Sequence, residues 1–84
     1  MSAYEFSLLQ EVLMEKGSAV LGDLFRFRND NNICDRKDPT AAMYSVVWNA
    51  KRDILSAKSE EDLRRIDTKF DMANAILSEM GVIQ

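Results

Sequence analysis

This 84-residue chain contains no histidine, one cysteine, one proline and three glycines. Without histidine the commonest acid–base side chain is missing, and with it the triads that use it as a base. A single cysteine cannot close a disulfide within the chain, and zinc sets built from cysteine and histidine are excluded by the same counts. No uncharged run reaches the roughly 18 residues that a membrane span requires. The opening residues, MSAYEFSLLQEVLMEKG, place no basic segment ahead of an apolar one, so no secretory signal is expected. One free thiol agrees with a reducing compartment, and the cytoplasm is the expected location. These absences leave no catalytic residue, metal ligand or cofactor-binding residue to nominate. The chain reads as a non-enzyme with no cofactor.

What is present is an ordinary globular composition, 46% hydrophobic and 30% charged, in a length that makes one domain over residues 1–84. So short a chain buries a modest core and depends on packing, with self-association as a further source of stability. The net charge of −3 is uneven. Residues 1–17 carry −2, 18–38 balance, 39–58 carry +2 and 59–84 carry −3. That is not the strong basic excess usual in nucleic-acid binding.

The pattern is helical throughout. Ser2 and Glu5 fit a capping box, with the Ser2 hydroxyl accepting from the third helical N–H and Glu5 reaching back to the Ser2 N–H. Phe6, Leu9, Leu13, Val20, Leu24 and Phe27 then fall in one arc at 100° per residue. The arc keeps its phase across Gly17-Ser18, which favours one long helix from about Ala3 to Arg28. Gly17, Ser18, Ala19 and Gly22 would thin its middle for a close neighbour. A break at Gly17-Ser18 is the alternative and would give four helices.

Asp38 and Pro39 read as the N-cap and first residue of a second helix, expected to reach Lys58 in its last turn. Met43, Val46, Val47, Ala50, Ile54 and Ala57 make its core face, and Tyr44, Trp48 and Leu55 an adjacent stripe. Ser59 and Asp62 form a near capping box for a third helix, whose Leu63, Ile66, Phe70, Ala73, Leu77 and Met80 repeat at heptad spacing. Gly81 is placed to end it, with Val82 or Ile83 folding back on the last turn. The fold class is all-α, a small three-helix bundle whose last two helices form an antiparallel hairpin.

Arg26 to Thr40, RFRNDNNICDRKDPT, is the least regular stretch. It places oxygen ligands closely, but counting from Asp30 the sixth and twelfth positions hold Asp35 and Ala41, where a calcium loop needs Gly and Glu. Helix stop, turn and helix start account for it. Cys34 has no base to activate it and is expected to be a partly buried small apolar residue. Glu11 with Glu15, and Asp67 with Asp71, are i, i+4 carboxylates that lack the Glu-x-x-His partner of di-metal bundles.

Apolar residues exceed what one stripe per helix needs. Leu8, Met14, Leu21 and Phe25 lie off the first helix's main arc, and Met72 and Ile76 flank the third helix's seam. Aromatics and Met are enriched in protein interfaces. The function expected is therefore stoichiometric binding of a protein partner, as a small acidic regulator, inhibitor or adaptor, with a homodimer as a further expectation. The expected contact residues are Leu21, Phe25, Tyr44, Trp48 and Leu55, with Trp48 as anchor. The second reading is a nucleic-acid-binding regulator using Arg26, Arg28, Arg36, Lys37, Lys51 and Arg52, which requires those bases to share one face free of carboxylates. The third is a structural subunit of a larger assembly.

Overall fold

The computed structural model describes residues 1–81. It contains three helices, α1 (Ala3–Asp30), α2 (Pro39–Asp53) and α3 (Glu60–Glu79), and the described residues hold no strand. The expectation for Val82 and Ile83 lies outside the described residues. At 1.5 Å per residue α1 is about 42 Å long, and it sets the 44 Å long axis of the molecule. The helices run up, down and up. Arg28 near the end of α1 donates to the Thr40 hydroxyl at the start of α2 (3.0 Å), and Gln10 donates to the Ile54 carbonyl at the far end (3.0 Å).

Each helix begins on a side-chain cap of the expected kind. Ser2, Asp38 and Ser59 accept from the backbone N–H groups of Glu5, Thr40 and Asp62. Two details differ from the sequence expectation. The Glu5 carboxylate accepts from the Ser2 hydroxyl (3.0 Å), and the Asp62 carboxylate accepts from the Lys58 N–H (3.0 Å), one residue before the predicted partner. Asn32 turns the loop after α1 at φ 54°, and Gly81 follows α3 at φ 76°. The left-handed region is open to both residue types. The Gly81 N–H returns to the Ser78 carbonyl (3.1 Å), closing the last turn as helix-ending glycines do.

α1 runs unbroken through Gly17, and the reason is packing. A Cβ there would stand 2.8 Å from the Phe70 ring (Cζ) and 3.3 Å from Lys51 Cγ. Gly17 therefore lets side chains of both α2 and α3 lie closer to α1 than a Cβ would allow. The other small residues do not share that role: Ser18 and Ala19 face solvent, and a Cβ on Gly22 would meet nothing within 4 Å.

The core follows the predicted arcs with three departures: Leu21 joins it, whereas Val46 and Met80, expected on the inner faces of α2 and α3, are exposed. Leu13, Val20 and Leu24 of α1 meet Val47 and Ala50 of α2 and Leu63, Ile66, Phe70, Ala73 and Leu77 of α3, with Ile54 just past α2; Phe6, Leu9, Met14 and Tyr44 pack on its edge. Lys16 ties α1 to α3, its ammonium 2.5 Å from both Asp67 and Asp71. These are the carboxylates whose spacing would suit a cation, and an ammonium already occupies the pair. α2 stops at Asp53, five residues short of Lys58. Ile54 is fully buried and keeps helical angles, but from it the chain tightens into turns closed by N–H bonds from Ile54 to Lys51, Ser56 to Asp53 and Ala57 to Ile54, with no Gly or Pro.

Candidate functional site

Of the apolar surface left after the core is filled, two patches flank α2, one on each side, while Tyr4, Leu8 and Val12 stay exposed along α1. The first lies between α1 and α2. Met14, Trp48, Lys51, Arg52 and Leu55 line a cavity of about 230 Å³ there. Trp48 stacks on Tyr44, one turn earlier, with ring centroids 6.5 Å apart and planes 12° from parallel. Trp48 is 53% exposed, Leu55 72% and Phe25 62%. On α1, Phe25 stands eleven residues from Met14, three helical turns along the same flank. Four of the five expected contact residues, Phe25, Tyr44, Trp48 and Leu55, thus border one side of the α1–α2 pair.

Leu21 does not join them. It is 7% exposed and belongs to the core cluster. A helix packed on two neighbours buries a wide arc, and Leu21, one turn from both Gly17 and Leu24, falls inside it.

The second surface lies between α2 and α3. Pro39, Met43, Val46, Met72 and Ile76, with Lys69 at the edge, line a cavity of about 390 Å³. The sequence reading set Val46 in the core, yet it is exposed. Met72 and Ile76, which flank the α3 seam by their spacing, are exposed as well. The pairing of Val46 with them depends on the α2–α3 register, which no local pattern carries.

The six bases of the second reading divide into two groups. Arg26 pairs with Asp23. Arg28 is held by the Thr40 hydroxyl and the Asp35 carbonyl. Arg36 and Lys37 follow in the same loop, beside Asp35 and Asp38. Lys51 and Arg52 lie near the opposite end of α2, roughly 18 Å along its axis from Pro39. No single face free of carboxylates results. Cys34 is exposed, against the expectation of partial burial. Its loop runs over the surface, as connecting segments do, and Ile33 is the half-buried residue there.

Three titrating groups are shifted, each by a bond that organises a helix. The Lys16 ammonium is raised, chiefly by its hydrogen bonds to Asp67 and Asp71. Asp38 is lowered by the Thr40 hydroxyl and then by the Thr40 N–H. Asp62 is lowered first by the Lys58 N–H. None lies in either apolar surface. Among the described residues no group of three or more carboxylates and thiols gathers in a metal-holding arrangement, and no helix is long and apolar enough to cross a membrane.

Residues 2–80 match the family model described as bacterial epsilon antitoxin. The chain belongs to the epsilon antitoxin family. No curated protein and no solved structure matches it significantly. An antitoxin inhibits a toxin by binding it, so this family membership agrees with a non-enzymatic, protein-binding regulator. A compact capped bundle with apolar surface beyond its core suits that class of action.

Proposed function

We propose that this epsilon antitoxin neutralises a zeta toxin by stoichiometric binding, and that the side of the bundle between α1 and α2, carrying Met14, Phe25, Tyr44, Trp48 and Leu55, is the contact. The family match over residues 2–80 carries the first part. The second rests on Trp48. Its ring is half exposed although twelve other apolar residues already form a buried core, so the fold does not require it there. A large, stiff aromatic beside a shallow apolar cavity is the usual form of a binding hot spot. The antitoxin performs no chemistry and covers a toxin surface. It acts in the bacterial cytoplasm, where a lone thiol such as Cys34 stays reduced.

Calorimetric titration of the purified toxin tests both parts. The expected result is saturation at a fixed whole-number ratio with loss of toxin activity, and an affinity at least ~30-fold weaker for Trp48→Ala, the size of a hot-spot loss. Unchanged affinity for that variant moves the contact to another face. Absence of binding by the native chain refutes the antitoxin reading. A second copy of the chain is the other partner expected, and the α2–α3 surface leaves apolar area for it. Sedimentation equilibrium decides: a monomer at all concentrations removes that partner.

A further inference from the structure

The cavity beside Trp48 is apolar in the middle and cationic at the edge. Its lining holds Met14, Trp48 and Leu55 together with Lys51 and Arg52, and no carboxylate. Neither base forms an ion pair or a side-chain hydrogen bond with any described residue, whereas Lys16, Arg26, Arg64 and Arg65 are all paired with acids. Glu11 and Glu15, the acids of α1 nearest in sequence to Met14, do not pair with them either. The local sign is opposite to that of the whole chain, which is −3.

We infer that the toxin surface received here is an apolar side chain flanked by carboxylates, the apolar group entering the cavity and an Asp or Glu meeting Lys51 and Arg52. This rests on the proposed α1–α2 contact and adds the chemistry of the other side. The Tyr44–Trp48 pair would suit a cation by ring electrostatics alone, but two unpaired bases at the same cavity repel one. A neutral apolar patch would leave both bases facing it without partners, at a cost in desolvation. Complementary charge avoids that cost, speeds encounter and rejects wrong partners. The α2–α3 surface offers a single base, Lys69, and carries no comparable sign.

The test is the association kinetics of the purified zeta toxin with the full antitoxin at low and high salt. Trp48→Ala, Arg52→Glu and the milder Lys51→Gln are compared with the native chain. Lys51 is kept to a neutral change because its stem packs beside Gly17, and circular dichroism checks the fold of each variant. The expected result is association at least ~10-fold slower for Arg52→Glu at low salt, with the gap closing at high salt. Lys51→Gln is expected to move in the same direction by less, and Trp48→Ala to act mainly by faster dissociation. If Trp48→Ala weakens the complex while Arg52→Glu leaves the association rate unchanged or raises it, the acidic partner surface is refuted and the contact face survives. If Trp48→Ala also changes nothing, both are refuted and only toxin binding elsewhere on the bundle stands.

Discussion

Replacing Gly17 by alanine sets two effects of known size against each other. Alanine in a helix interior is favoured over glycine by about 1 kcal/mol. At Gly17 the new Cβ would lie 2.8 Å from Phe70 Cζ, where carbon atoms normally rest about 3.5–4.0 Å apart. Phe70 is fully buried in the core, so its ring yields only by straining the α1–α3 packing. Overpacking of this kind costs about 1–3 kcal/mol. Lys51 Cγ at 3.3 Å adds little, since a flexible stem can move. The net expectation is a loss of about 1 kcal/mol, or about 4–8 °C in Tm for a domain of this size. Gly22→Ala is the matched control, with the same propensity gain and nothing within 4 Å of the new Cβ. It should stabilise the fold by about 0.5–1 kcal/mol. Urea denaturation of the two variants reads the difference directly. A double variant with Phe70→Leu should lose less than the sum of its parts, because the colliding ring edge is gone. If Gly17→Ala proves as stable as Gly22→Ala, close approach is not what requires glycine at that position.

Three further outcomes follow from the same geometry. Lys16→Met removes a bond between helices shared by two carboxylates. Because all three groups are partly solvated, the loss should be about 0.5–1 kcal/mol in denaturant titration and should shrink in high salt. The raised pKa of Lys16 means this contribution is complete below the unfolded value near 10.5 and is lost as pH rises through the folded value, so native and variant stabilities should converge only in strong alkali. Asp38→Ala should lower Tm at neutral pH. Since the folded pKa of Asp38 is depressed, its contribution is present above the unfolded value of 3.8 and is lost as pH falls through the lower folded one, and the gap in Tm should narrow there. Trp48→Ala should cost about 1–2 kcal/mol in stability, less than a core truncation, because only the buried half of the ring, stacked on Tyr44 and facing the groove with Met14, is forfeited.

The helix starts were legible in the sequence because a cap is a local bond. Ser2, Asp38 and Ser59 each reach an N–H two or three residues ahead, and that offset is visible in the chain. The continuity of α1 was legible in phase, since the arc from Phe6 to Phe27 does not shift at Gly17. The end of α2 was not, because the helix there tightens into short turns from Ile54 to Ala57 with no Gly or Pro to announce it. Burial on the flanks was only half legible. Leu21 and Phe25 are one turn apart and equally apolar, and only the seating of α2 and α3 against α1 decides that the first is core and the second surface. The same holds for Val46 and for the capture of Asp67 and Asp71 by Lys16. The excess of apolar side chains pointed to a binding protein. That the proposed partner is a toxin came from the family.

The most direct test of the account uses the chain's single tryptophan. Fluorine NMR of antitoxin labelled with fluorotryptophan gives one signal, from Trp48, while unlabelled zeta toxin is added. With Trp48 at the contact, this signal should shift and broaden in proportion to toxin and stop changing at the binding stoichiometry, as a half-exposed ring becomes enclosed. A complex that forms while the Trp48 signal keeps its free position would contradict that contact.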